Sequence, residues 1–372
     1  MKLLSFELKK IILDKRFLYL TIILIAGVVI LFMRNIIFES YIEKEESQKI
    51  ETYIAASQAN NRMLQNTLDA GSDDEERLKH LLSVNSQMLE VLYQSREILQ
   101  TEDWQTKLQL ENEFLSYVTE YKNAEGDYPL TIGEIDQIIA LNQKLLQENI
   151  KPEHKTFSQA MPNFLKVVVS LLINLGAIVI ILLFVGDILS SEYEQHSIGL
   201  LLTQPLNRLS IITSKLISSI LIYAILIYTA FAIAILVGLT FGMEGTFNYP
   251  ILIEKSNEFQ FISIQDYINQ SLIIICVFGL ALISLTLLIS LLLKHTLATF
   301  FVLLGILLTG YVITFIPWNA LFWVNPFQYV LAEDMILNQN DKVWYQGIPA
   351  TILLAFVCLV ISLRKIKTSK LG

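Results

Sequence analysis

Long stretches of this chain contain no Asp, Glu, Lys or Arg: residues 17–33, 167–186, 216–243, 267–293, 295–332 and 343–363. Uncharged runs of such length are poorly suited to water, and inside a bilayer every backbone N–H and C=O needs a partner within the protein. A helix meets that demand alone, so the runs predict membrane-spanning helices. A span takes about 20 residues to cross a hydrocarbon layer about 30 Å thick. Five runs supply one span each, the first completed by residues 35–38 with Arg34 reaching back to the interface. The run 295–332 is too long for one helix. Pro317 and Pro326 divide it into a span at 297–315 and an aromatic segment at 316–330 that lies on or dips into the outer interface. With 53% hydrophobic and 17% charged residues, against about 25% charged in soluble domains, an ordinary water-soluble enzyme is excluded.

The expected order is an interfacial helix at 1–16, spans at 17–38, 164–188, 211–240, 268–293, 297–315 and 343–363, and a tail at 364–372. Between them lie a polar segment at 39–163, a loop at 189–210, and outer segments at 241–267 and 316–342. Six spans put Lys2, Lys9, Lys10, Lys15 and Arg16 on the same side as Arg208, Lys215, Lys294, Arg364, Lys365, Lys367 and Lys370. The positive-inside rule makes that side the cytoplasm, so both termini face it, in the cell membrane of a bacterium. A seventh crossing would separate the two basic ends. The start resembles a secretory signal, but no small-x-small site follows 31–34, and a retained anchor is expected.

The segment 39–163 is polar, with apolar residues at helical spacing. Leu78, Leu81, Leu82, Met88, Leu89, Leu92 and Leu99 form one stripe; Trp104, Leu108, Phe114, Leu115, Val118 and Tyr121 a second; Ile135, Ile138, Ile139, Leu145 and Leu146 a third. Ser72 with Glu75 and Thr131 with Glu134 resemble capping boxes. An extracytoplasmic domain of three or four helices is expected, the first continuing out of span one.

The chemistry that is missing is informative. No G-x-x-x-x-G-K-[ST] phosphate loop occurs, so ATP is not held in that way. No ionisable Asp, Glu, Lys or Arg stands near the middle of a span, where an ion relay would need one. Arg34, Lys166 and Asp187 read as interfacial anchors. His80, His154, His196 and His295 are scattered without metal spacing, and Cys276 and Cys358 lie inside apolar runs. The acidic run Asp73-Asp74-Glu75-Glu76 reads as a solvated helix start. A net charge of −8 argues against nucleic acid as a partner. The membrane part is passive, so its energy comes from elsewhere.

The loop 189–210 combines a charged beginning, a short apolar helix, a proline that stops it and a basic return to the membrane. A stiff helix between two spans transmits displacement that a floppy loop would absorb. Glu194, Gly199, Leu201-Leu202-Thr203-Gln204-Pro205-Leu206-Asn207-Arg208 and Lys215 resemble the E…G…LL…P-[LV]-[SN]-R…K signature of ABC-2 type transporter permeases. Leu200 departs from it, where many relatives carry threonine. The resemblance extends to Glu7-Leu8-Lys9-Lys10, the six-span order and Asn325-Pro326-Phe327. It covers about two thirds of the chain and leaves 39–163 outside.

That resemblance implies an all-α polytopic fold of type V exporter-like architecture, with no enzyme activity and no cofactor of its own. ATP and Mg would sit on a separately encoded ABC ATPase dimer, and a second permease copy or a sister permease would complete the assembly in the bilayer. Residues 192–205 would be the coupling helix in a groove on the ATPase. Glu192, Glu194, Gly199, Leu202 and Pro205 would belong to it, while Arg208 and Lys215 would anchor span three near lipid phosphates and the ATPase surface. Leu4, Leu8, Ile11 and Ile12 would lay helix 3–13 along the inner interface. The implied function is export of an amphipathic or hydrophobic molecule such as an antimicrobial peptide, antibiotic or lipid. The alternative is a permease that transports nothing and relays ATPase motion to an extracellular partner. A third reading, an ion-driven carrier or membrane enzyme, requires a buried ionisable group at mid-span.

Overall fold

The computed structural model describes residues 2–71, 74–186, 188–195, 207–255, 258–316, 318–337 and 343–368. Helices dominate, with one small two-stranded sheet of β1 (Pro250–Lys255) and β2 (Glu258–Ser263). That sheet falls where the sequence suggests only a loop. Among the described residues six helices are long and apolar enough to cross a membrane: Lys15–Ile37, Met161–Phe184, Arg208–Phe241, Ile264–Leu293, Thr296–Phe315 and Ile348–Lys367. They are called spans one to six below. The last begins later than the apolar run 343–363 because residues 344–347 form turns, with Ile348 N–H bonded to the Tyr345 carbonyl at 3.1 Å. It also runs on through Arg364 and Lys365, since a helix stops where its backbone bonds stop and not where hydropathy falls.

The chain divides into two compact units, Met1–Phe32 with Gln159–Phe247 and Ile253–Gly372, and Met33–Ser158 with Asn248–Leu252. In the first, helix α1 (Lys2–Ile12) precedes span one (α2, Lys15–Ile37). Span two consists of α7 (Met161–Leu171), a π turn (Leu172–Gly176) and α8 (Ala177–Phe184). The short α9 (Ser190–Glu194) follows, then span three (α10, Arg208–Phe241), span four (α11, Ile264–Leu293) and span five, begun by α12 (Thr296–Val312). Short helical turns then fold back, α13 (Asn319–Val324), a 3₁₀ turn (Pro326–Leu331) and α14 (Ala332–Leu337), before span six (α15, Ile348–Thr368).

Span four is the centre of this unit: 72% of its apolar window is buried, against 17–50% for the other five. It meets span three so closely at Gly279 that an added Cβ would lie 2.5 Å from the Tyr223 ring, while the Tyr223 hydroxyl donates to the Ile275 carbonyl at 3.1 Å. Span one instead exposes Leu18, Ile22, Ile23 and Ile30, side chains suited to hydrocarbon.

The second unit contains helices α3 (Glu39–Asp69), α4 (Glu75–Ile98), α5 (Trp104–Asn123) and α6 (Ile132–Glu148). Helix α3 starts just after Phe38, directly beyond the end of span one. The three sequence stripes supply its core, where Leu81, Met88, Leu92, Phe114, Leu115, Val118, Tyr121 and Ile135 are buried with Ile54 and Leu64 from α3. Thr131 and Glu134 form the expected capping box. Ser72 of the other candidate box lies outside the described residues, and α4 is preceded by Asp74 without a side-chain cap bond. Tyr128 enters the core from the loop before α6, its hydroxyl 3.3 Å from Ser57 Oγ, and burial pushes that hydroxyl up to about 12.

Candidate functional site

Helix α9 carries the described part of the loop between spans two and three, and its polar side chains fasten to several elements. Glu192 is buried. Its Oε1 accepts from Lys215 Nζ at 2.7 Å and from Lys10 Nζ at 2.9 Å. Lys215, two turns inside span three, also reaches Glu7 on α1 at 3.3 Å and the Ile188 carbonyl at 3.4 Å. The side chains of Lys215, Glu7 and Glu192 are 0%, 3% and 3% exposed, while that of Lys10 is half exposed. Two ammonium groups thus balance two carboxylates, and only Lys10 meets solvent. Burying charges in this way is tolerable because each has an opposite charge and a hydrogen bond within reach.

The next carboxylate turns the other way. Glu194 accepts from the Thr296 backbone N–H at 2.7 Å and from Thr296 Oγ1 at 3.0 Å, and lies 3.4 Å from His295 Nδ1. It therefore satisfies an N–H that span five leaves open at its first turn. Those hydrogen bonds, with the Thr296 backbone bond foremost, hold its carboxyl below the usual carboxylate range. Ser190 Oγ lies 3.0 Å from Thr296 Oγ1, and Lys294 Nζ stands 5.4 Å from the centre of the Tyr193 ring. Lys294 itself adopts a left-handed conformation, φ 57°, that ends span four. Four residues of α9, Ser190, Glu192, Tyr193 and Glu194, thus join α1, span three and the link between spans four and five. A cleft of about 100 Å³ beside them is lined by Glu7, Lys10, Asp14, Arg16, Ile188 and Ser191 among others.

Lys215, expected near lipid phosphates and the ATPase surface, is buried between the Glu7 and Glu192 carboxylates, two turns inside the helix. Glu192 and Glu194 are brought together with it at this end of the bundle, and Asn207 caps span three with its side chain accepting from Leu209 N–H at 3.1 Å, one residue before Arg208 begins the helix. Gly199, Leu202 and Pro205 lie outside the described residues.

Three residues that complete the site carried only faint signals in the sequence. Glu7 is an acid on an otherwise basic amphipathic helix, which is the mark of an internal partner. Lys10 stands with Glu7 in the basic start that extends the family resemblance, and Thr296 has no such mark. No three His, Cys, Asp or Glu side chains converge as metal ligands among the described residues. Hydrogen-bonded ion pairs of this sort can hold elements rigidly together.

No curated protein matches the chain. A family model described as ABC-2 family transporter protein matches residues 1–332. The matched stretch runs across segment 39–163, which the motif resemblance leaves outside, and takes in α1, five spans and the whole of the charged node. This chain is a multi-pass membrane protein that belongs to the ABC-2 transporter family.

Proposed function

We propose that the chain is the permease subunit of an ATP-driven exporter, moved by a separately encoded ABC ATPase dimer and completed by a second copy or a sister permease. The loop at 189–210 would face the cytoplasm and seat residues 192–205 in the ATPase. The observation that carries this reading is the buried Glu7–Lys215–Glu192 contact. It makes α9, α1 and the start of span three one stiff piece, so a push on the loop would move span three instead of bending a hinge. Glu194 would pass the same push to span five through Thr296.

Cargo would be amphipathic or hydrophobic, an antimicrobial peptide, antibiotic or lipid, since the spans offer apolar faces. A second reading is supported by the helical unit, whose own core of stacked aromatics such as Tyr53 and Phe114 could serve as a lever toward an extracellular partner. Deleting residues 41–154 separates the two. A lever loses all function while ATPase coupling persists, and an exporter retains some transport.

The test of coupling is copurification of the ATPase encoded beside this chain with parent, Pro205→Ala and Lys215→Met proteins. Pro205→Ala is expected to weaken binding, and Lys215→Met to leave binding but uncouple hydrolysis from transport. Undiminished binding and coupled hydrolysis in both would refute the assignment.

A further inference from the structure

The opposite end of the spans holds a second polar cluster. Glu333, on α14, sends its carboxylate against span two, where Oε2 accepts from Ser170 Oγ and from Asn174 Nδ2, the latter at 2.9 Å. Its Oε1 accepts from the Tyr267 hydroxyl of span four at 3.1 Å and lies 3.8 Å from Lys166 Nζ. The Glu333 backbone N–H donates to Asn174 Oδ1 at 3.2 Å, so Asn174 grips both ends of the residue. Lys166 also stands 5.6 Å from the centre of the Tyr267 ring.

The depth of the cluster is unexpected for a residue outside every span. At 1.5 Å rise per residue, Ser170 and Asn174 lie about 14 and about 20 Å along span two from Met161. Glu333 is carried there by the turns that fold back after span five. Both side chains of the Lys166–Glu333 pair remain about one fifth exposed, at 21% and 22%, so the pair is not sealed. Ser271, one turn beyond Tyr267, is fully buried.

Asn174 sits inside the π turn Leu172–Gly176, and Ser170 lies just before it. A π turn holds one residue more than an α turn and is a local distortion found often at functional sites. Here the sequence permits it at Gly176, where an added Cβ would lie 2.9 Å from the Leu171 carbonyl oxygen. Because the two donors share one carboxylate oxygen across the edge of the turn, relaxing the π turn to a regular helix would rotate Asn174 relative to Ser170 and break the pair. Bound Glu333 and a π-distorted span two therefore stabilise each other, as the two halves of a bistable element must.

We propose that Glu333 is a positioning residue for the opening of this end of the permease: it latches α14 onto the π turn of span two and onto span four, and release of that latch lets the spans part. The inference rests on the transport reading, but its test needs neither ATPase nor cargo, so the two can fail separately. In a full-length chain with Cys276 and Cys358 replaced, a single Ser271→Cys reporter is exposed in membrane vesicles to a membrane-impermeant maleimide from each face. Slow labelling is expected in that parent. Glu333→Ala should raise the rate at least about tenfold, as loss of a charge-assisted hydrogen-bond set shifts the population toward the parted state. Glu333→Gln, which keeps an acceptor oxygen, should fall between. If Glu333→Ala does not fold, Asn174→Leu must raise the rate in its place. Unchanged labelling in the folded variants, or a lowered melting temperature with unchanged labelling, would make Glu333 a structural tether and overturn the proposal.

Discussion

Lys215 shows what a single side chain can do when neighbours neutralise it. Replacing it with Met would take the cation from buried Glu7 and leave Glu192 with Lys10 alone, a loss of about 3–5 kcal/mol for one partner of a buried pair. A large fall in the melting temperature of detergent-solubilised protein is the expected outcome, and Lys215→Met combined with Glu192→Gln should recover part of it. Lys10→Ala, at a half-exposed position, should cost no more than about 1 kcal/mol by the same measurement. The sequence motif includes Lys215, but its partner Glu7 lies more than two hundred residues away in the chain. Separation of that kind hides a pairing from any reading by spacing, and a basic residue near a span end is otherwise well explained by the membrane interface. Glu333 was hidden for a related reason. It belongs to no apolar run, so counting charges within runs misses a carboxylate that a neighbouring segment carries against Ser170 and Asn174 of span two.

Elements were far more legible than contacts. Uncharged runs locate spans because lipid excludes charge along a whole helix, and the stripes of α4, α5 and α6 locate a core because helical period fixes which residues share a face. The π turn in span two has no such periodic mark; only a glycine and two short polar residues accompany it. At the interface of spans three and four, Gly279→Val would drive methyl groups into the Tyr223 ring, and about 1–3 kcal/mol of destabilisation is expected in thermal melts. In the helical unit, Thr131→Ala removes an N-cap and should cost about 1 kcal/mol. Tyr128 gives that unit a pH dependence of known sign. Its hydroxyl is raised from 10.0 to about 12 by burial, so the folded form binds its proton more tightly than the unfolded chain does. The stability it contributes is complete below about pH 10 and is lost as pH climbs through about 12. Circular dichroism melts of the full chain across that window should show the decline, with a shallower decline in Tyr128→Phe.

At the scale of the molecule, the chain combines six apolar spans with a polar helical unit and contains no phosphate-binding loop. Membership of the ABC-2 family accounts for that combination if force is supplied by a partner at the α9 end and is used at the Glu333 end. The charged node and the Glu333 cluster stand toward opposite ends of the same unit, joined through spans two, three and four, so a shift of α9 would have a packed route to the π turn. The most direct measurement is cargo movement in liposomes holding the purified chain with and without its cognate ATPase. Movement that requires both the ATPase and ATP, and that is abolished by Lys215→Met in folded protein, is the predicted result. Movement by the chain alone, driven by an ion gradient, would contradict it.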